Sequence, residues 1–448
     1  MFYKKIDFLN FCWFDYCIFM KKIETMSQLN YVMGRECSNN YPICGFSVDA
    51  RTIQQGQVFF AIPGERVDGH QFVQEALAKG AACAVVEKSY PGDGPLIRVD
   101  HVLRSLQQIV KALLSLRKTK IIGITGSVGK TSTKEFLSVL LEKNFVVGKS
   151  AGNQNSQIGL PLTILNDSSG DEELLILEMG MTQPGQIASL TEIAPPTIAL
   201  ITQVALVHAA NFPSIDAILQ AKLEIFNHPK TQITIGPYEW KRGTHLFSLD
   251  HHEADYFFDG THLYEAGRML GALQMPISGK HYQQNILSAI AVACQLGLEF
   301  QEIQERLKFL KLFQQRFETK LKKGVIFIDD SYNASAIAVK AALSSLPTPR
   351  QGRFKFAVLG SMLELGKFSA QCHIDVAEEA LKTVDYLFCY GEECLPMIDA
   401  WHKHGREAHY FDSHQHLISE LRKQASEGDI VLVKGSYGNA MWKVIEEF

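Results

Sequence analysis

At 448 residues the chain is long enough for two to four domains, on a prior of about 150 residues each. Hydrophobic residues make up 46% and charged residues 21%, so ordinary soluble cores are expected. A net charge of −4 without a long basic run argues against a nucleic-acid surface, and nine scattered cysteines without a C-x-x-C pair point to reduced cytosolic thiols rather than a zinc site or a disulfide framework.

The stretch Phe11 to Met20 is apolar apart from Asp15, and Lys4 and Lys5 precede it. It is too short to span a bilayer, which takes about 20 residues. No small-residue cleavage site follows in Lys21-Lys22-Ile23-Glu24. Residues 1–26 therefore read as a non-native or disordered extension, with Met20 or Met26 as the real start, and no transmembrane segment is expected. Residues 27–118 form a first region. Its short apolar runs (Val58 to Ile62, Ala82 to Val86, Leu96 to Val99) suggest strands, Leu103 to Leu116 suggests a helix, and Arg117 to Lys120 is a polar connector.

A second region, 119–313, opens with the most informative segment of the chain. Ile121 to Ile124 reads as a strand, Thr125-Gly126-Ser127-Val128-Gly129 as a Gly-rich turn, and Lys130-Thr131-Ser132 as a helix start, with Phe136, Val139 and Leu140 at helical spacing beyond it. Such a loop aims backbone N–H groups and a helix dipole at phosphate. Lys130 would reach the terminal phosphates and Thr131 would hold Mg²⁺. Ile124 stands where the strict P-loop pattern wants Gly, so the fit is to a variant loop.

The amide-rich loop Gly152 to Gln157, with Asn153 and Asn155, reads either as a substrate reader or as an Asx-turn. Leu174 to Leu177 and Thr197 to Thr202 resemble buried parallel strands. Glu178 ends the first, where a carboxylate can bind Mg²⁺, and His208 follows the second as a ligand or a structural histidine. On the helix Ile215 to Phe226, Lys222 falls on the stripe of Ile215, Ile218, Leu219 and Phe226. It either snorkels outward or sits in a cavity as a neutral amine able to take up CO₂ as a carbamate. Gly279 to Asn285 precedes an Ala-rich helix from Ile286 to Leu296.

The third region, 314–448, holds Arg316, strands at Val325 to Ile328, Phe356 to Leu359 and Ile430 to Val433, and a turn-rich connection at Pro347 to Gly352. Asp329 and Asp330 end one strand, before Ser331-Tyr332-Asn333-Ala334-Ser335, and Lys434-Gly435-Ser436 ends another. Regions two and three thus read as right-handed βαβ sheets with polar residues at the carboxyl ends of strands, where ligands sit. A nucleotide bound on region two and closed over by region three would meet Asn285, Arg316 and Asp330.

Together these segments resemble the Mur ligase family of ATP-dependent amide ligases, from about Cys44 to Phe448. The resemblance is carried by Thr125 to Ser132, Gly152-Asn153 with Ile158 to Pro161, Glu178-Met179-Gly180, Ala221-Lys222 with Glu224-Ile225-Phe226, Asp329 to Ala334, Leu359-Gly360 with Met362 to Gly366, and Val433 to Ser436. In the first region it rests on Asp49 with Arg51, Val58 to Ala61 and Asp68-Gly69-His70.

The resemblance implies an α/β protein of three domains: an N-terminal UDP-binding domain, a central P-loop-type mononucleotide-binding domain and a C-terminal Rossmann-like domain. It implies a cytoplasmic enzyme of peptidoglycan precursor synthesis that joins D-alanyl-D-alanine to UDP-N-acetylmuramoyl-tripeptide, uses ATP and Mg²⁺, acts as a monomer and binds neither nucleic acid nor membrane. It further implies that residues 125–132 with Asn285, Arg316 and Asp330 bind ATP, and that Thr131 and Glu178 bind one Mg²⁺. His208 and Lys222, carried as N6-carboxylysine, would serve a second ion. Lys130, Glu178, His208 and Lys222 would be catalytic, and Ser47, Asp49, Arg51, Asn153, Asn155 and Asn333 would bind substrate. Val128, Ala50, Ser361 and Ser335 depart from the family pattern. A sibling that adds the third amino acid usually carries Asp-Tyr-Ala-His-Thr-Pro where this chain has Asp330 to Ser335, and a folylpolyglutamate synthase lacks the first domain; both are alternatives the resemblance disfavours.

Overall fold

The computed structural model describes residues 20–36, 40–64, 67–207, 209–277, 279–312 and 315–448. Strands β1 (Gly45–Ser47), β2 (Gln57–Phe60), β3 (Cys83–Glu87) and β4 (Leu96–Val99) lie side by side in that order, all parallel. Their apolar runs are buried because helices cover both faces. The helix Val102–Ser115 supplies Val102, Leu106, Ile109, Val110 and Leu113 as one buried stripe.

The extension expected over residues 1–26 needs correction at its end. Residues 1–19 lie outside the described residues, but Met20, Ile23 and Met26 are buried in the core. Thr25 pairs with Pro42 in an isolated bridge and caps the helix Met26–Val32. Its hydroxyl accepts from Gln28 N at 3.3 Å, and the Gln28 side chain accepts from Thr25 N at 3.1 Å, a reciprocal capping box.

The central sheet has nine strands in the order β13-β12-β11-β10-β9-β8-β5-β7-β6. Strand β5 (Lys120–Thr125) lies between β7 (Leu174–Glu178) and β8 (Ile198–Ile201), while the chain after β5 passes beyond β7 to β6 (Val147–Lys149). Strand order therefore reverses at β5, which opens a crevice at the carboxyl ends. Strands β9 (Ile233–Pro237), β10 (His245–Ser248) and β11 (Tyr256–Phe258) continue the parallel array. Strands β12 (His262–Glu265) and β13 (Arg268–Ala272) add an antiparallel edge. The helix expected from Ile286 begins instead at Lys280 and runs to Gln295, so Asn285 sits inside it rather than capping it.

The third sheet has the order β14-β15-β19-β16-β17-β18. Its strands are β14 (Glu318–Lys322), β15 (Val325–Asp329), β16 (Lys355–Gly360), β17 (Tyr386–Tyr390), β18 (Ala408–Phe411) and β19 (Ile430–Lys434), and β14 alone runs antiparallel to its neighbour. Because the last strand, β19, inserts between β15 and β16, Lys434 ends beside Asp330. The boundary expected at 313 and 314 falls outside the described residues. Among the described residues no helix is long and apolar enough to cross a membrane.

The packing of residues 20–25 yields a prediction. A chain starting at Met26 loses the Ile23 burial and the Thr25 cap, and should be less stable than one starting at Met20 by about 2–4 kcal/mol. Urea denaturation of the two chains measures the difference, and equal midpoints would contradict the packing described.

Candidate active site

The site is built on the turn that joins β5 to the helix Lys130–Leu141. Gly126 and Gly129 have φ of +154° and +88°. A Cβ on Gly129 would lie 2.3 Å from Asn285 Oδ1, so glycine is required both for the left-handed turn and for the close approach of the helix Lys280–Gln295. The loop is pinned through its backbone: Thr202 Oγ1 donates to Val128 O at 2.6 Å and Ser127 Oγ donates to Ala205 O at 2.8 Å. Val128 therefore holds its place by its main chain, which offsets the polar side chain it lacks. Lys130 Nζ donates back to Gly126 O at 2.7 Å. Burial pushes the Lys130 ammonium below its ordinary range, with Glu178 opposing that and Arg316 adding to it.

Glu178, at the end of β7, is fully buried. Its Oε2 accepts from Thr131 Oγ1 at 3.3 Å. Among the described residues its Oε1 has no aligned hydrogen-bond donor, although Lys134 Nζ stands 3.1 Å away as an ion-pair partner. Sequence reasoning missed Lys134. The available signal was its place one turn beyond Lys130, which puts both cations on one helix face.

Asn153 and Asn155 both line the cleft. Gly180 allows their loop to come close, since a Cβ there would lie 2.6 Å from Asn155 Oδ1.

The third domain supplies the opposite wall. One cleft of about 280 Å³ is lined by residues 127–132, Asn153, Asn155, Glu178 and Asn285 on one side, and by Arg316, Asp330, Tyr332, Asn333, Ser335 and Lys434 on the other. Arg316 stacks over the Tyr332 ring at 4.1 Å. Its neighbours Gln315 and Phe317 both hold left-handed backbone, with φ of 59° and 58°, a strained turn fixed from outside. Asp330 Oδ1 accepts from Phe317 N at 3.2 Å, and Asp330 Oδ2 accepts from Lys434 Nζ at 2.6 Å. Asp330 thus anchors the Arg316 turn as well as lining the cleft. Lys434 also donates to Asn333 O at 2.8 Å.

Two further cleft residues were given no role from sequence. Among the described residues, His281 Nδ1 and Ser335 Oγ are buried without a hydrogen-bond partner. Burial pushes the His281 imidazole down to about 4, so it faces the cleft neutral at physiological pH.

Lys222 does not snorkel. It is 4% exposed, and no side-chain hydrogen bond or ion pair joins it to another described residue. Burial, reinforced by the nearby Lys130, pushes its amine well below the ordinary range. His208 lies outside the described residues. Among those described, no group of three or more His, Cys, Asp or Glu side chains forms a metal site. The donor set still fits Mg²⁺, an ion that keeps several waters and takes few protein oxygens: the Thr131 hydroxyl lies 3.3 Å from the buried Glu178 Oε2.

Ser47, Asp49 and Arg51 are not brought to this cleft; they sit at the carboxyl end of β1. Arg51 grips Asp49 in a fork, with Nε–Oδ1 at 2.9 Å and Nη2–Oδ2 at 2.7 Å, and Asp49 N donates to Ser47 Oγ at 3.1 Å. The Arg51 side-chain and backbone hydrogen bonds hold the Asp49 carboxyl at about 2.

Comparison with known proteins bears on the whole chain. The Mur ligase middle domain matches residues 124–293, the Mur ligase, glutamate ligase domain residues 315–437, and the Mur ligase family, catalytic domain residues 42–112. The UDP-N-acetylmuramoyl-tripeptide–D-alanyl-D-alanine ligase of Bacillus subtilis (strain 168) is 34% identical over 429 residues, covering 90% of this chain and 93% of the relative. That of Synechocystis is 32% identical over 427 residues, with 92% and 93% covered. The MurF ligase of Thermotoga maritima, solved in complex with ADP, superposes with a TM-score of 0.76 at 28% identity, over 90% of this chain and 96% of that one. A MurF structure from Acinetobacter baumannii, at 24% identity and a TM-score of 0.81 over 96% and 99% of the two chains, shares the fold.

Two outcomes follow from the geometry. Gly129→Ala should fold but weaken ADP binding by about tenfold or more, because the turn must change hand and move off Asn285; titration calorimetry measures this, and unchanged affinity would contradict the loop geometry. Asp49 has a lowered folded-state value, so its pairing with Arg51 is fully present above the ordinary carboxylate range and fades as pH falls through about 2. A carboxyl NMR titration should find that value, and Arg51→Ala should return Asp49 towards about 3.9.

Proposed function

The chain belongs to the Mur ligase family, and on that premise we propose that it is the ATP-dependent ligase that joins D-alanyl-D-alanine to UDP-N-acetylmuramoyl-tripeptide in peptidoglycan precursor synthesis. The observation that carries this reading is the single cleft in which the phosphate loop and Glu178 of the central domain face Arg316, Tyr332, Asn333 and Lys434 of the third. Relatives of that activity match across all three domains, which supports it over a sibling ligase or a folylpolyglutamate synthase-like enzyme.

The reaction transfers the γ-phosphoryl group of ATP to the terminal carboxylate of the UDP-peptide. The dipeptide amine then attacks the carbonyl carbon of the acyl phosphate, the C–N bond forms, and inorganic phosphate leaves with the C–O electrons. Both reactants of the first step are anions, so the cleft must lower their repulsion. Lys130, released from Gly126 O, steadies the β- and γ-phosphates beside the N–H groups of the loop. Thr131 and Glu178 hold Mg²⁺, which screens phosphate charge when bound. Asn285 and Arg316 contact the nucleotide, with Asp330 setting the Arg316 turn.

Lys222 carries CO₂ as N6-carboxylysine and serves a second ion with His208. A buried amine with no side-chain partner among the described residues, which burial drives towards the neutral form, supports this, because only an unprotonated nitrogen attacks CO₂. Asn153, Asn155 and Asn333 read the acceptor peptide and dipeptide, and Ser47, Asp49 and Arg51 belong to the UDP-sugar side.

Phosphate release should require ATP, UDP-N-acetylmuramoyl-tripeptide and D-alanyl-D-alanine together; release that ignores either acceptor or dipeptide would overturn the assignment. Lys130→Ala should keep its fold and lose activity by about 10² or more. Lys222→Ala should be nearly inactive and partly restored by a short carboxylic acid, whereas Lys222→Arg should not respond, since it refills the site with a cation. Full activity in Lys222→Ala would remove the carbamate from the account.

A further inference from the structure

Lys134 lies one turn beyond Lys130 on the phosphate-loop helix and is fully buried. Its Nζ donates to the carbonyls of Ser150 at 2.6 Å and Gly152 at 2.9 Å. It also stands 3.1 Å from Glu178 Oε1 and 3.3 Å from Glu135 Oε1. An ammonium away from water is costly unless its three protons are all used. Here two carbonyls and two carboxylates surround it.

The contacts join three separate elements. Ser150 closes the circuit, because its N–H donates to Ile176 O at 3.0 Å and its Oγ accepts from Glu178 N at 3.3 Å. The phosphate-loop helix, the end of β7 and the loop leading to Asn153 and Asn155 therefore meet at one nitrogen. The reaction as derived uses Lys130, Thr131, Glu178 and the loop amides, and leaves Lys134 without a part. Beyond neutralising Glu178, the ammonium binds two carbonyls of a loop that has no helix or strand of its own at those residues.

We propose that Lys134 is a positioning residue: it sets the Glu178 carboxylate and the loop from Ser150 to Asn155 in one geometry relative to the phosphate loop, so that the nucleotide and acceptor-peptide sides of the cleft are aligned by a single ammonium. This rests on the ligase reading for the identity of what the loop reads, but the mechanical tie does not.

The test uses the full chain with Lys134→Met and with Lys134→Met/Glu178→Gln. Removing one partner of a buried pair leaves a charge stranded, whereas removing both relieves it, so the double variant should regain stability lost by the single one. Hydrogen exchange without ligands should then show Gly152 to Asn155 opening about tenfold faster in both variants, with the helix Lys280–Gln295 unchanged. In the single variant the KM values for the UDP-peptide and for ATP should both rise about tenfold, because Glu178 and the loop lose the same tie. Unchanged loop exchange in the double variant overturns the proposal even if the single variant fails to fold, and so do unchanged KM values in a folded single variant. Wild-type phosphate release that ignores the UDP-peptide would instead sink the ligase reading, leaving the ligand-free exchange result to decide the role of Lys134.

Discussion

Buried charge is the constraint on which the rest of this structure depends. Glu178 is fully enclosed at a strand end, and Lys134, Lys222 and Lys434 are enclosed around the same region. A buried cation must be paired or neutral. Lys134 is paired with Glu178, and Lys434 with Asp330. Lys222 has no such partner among the described residues and is instead driven towards the neutral amine by burial and by Lys130. The pairing pattern thus separates two lysines that hold structure from one whose chemistry is open to modification.

Topology puts these charges where a reaction can use them. The reversal of strand order at β5 opens the central sheet beside Glu178, and the insertion of β19 between β15 and β16 brings Lys434 against Asp330. Each sheet contributes one wall of the cleft, and neither wall alone has both the phosphate loop and the Arg316–Tyr332 stack. Catalysis by approach of two such walls suits a reaction whose main obstacle is repulsion between anions.

Much of this was legible in the sequence, and the losses have physical reasons. Continuous apolar runs marked β5, β7, β8, β15, β16 and β19 to within a residue or two, since strands buried on both faces carry no alternation to misread. The Gly-rich turn gave the phosphate loop because its glycines have a steric duty. Strands β12 and β13 escaped notice because an edge hairpin is half exposed and breaks the apolar run. Asn285 was set before its helix because Lys280 to Gln284 are polar, yet those residues form the first turns, with His281 lining the cleft. Residues 20–25 looked dispensable since their burial depends on distant partners such as Pro42. Lys222 could be narrowed only to two readings, because a stripe position states that a side chain faces inward and not whether its charge escapes; the fold decided against escape.

The proposed reaction depends most directly on the formation of an acyl phosphate from the acceptor carboxylate. With UDP-N-acetylmuramoyl-tripeptide labelled with ¹⁸O in its terminal carboxylate, one labelled oxygen should appear in the inorganic phosphate released as D-alanyl-D-alanine is joined, as mass spectrometry of the phosphate would read. Released phosphate free of label, with amide product still formed, would contradict it.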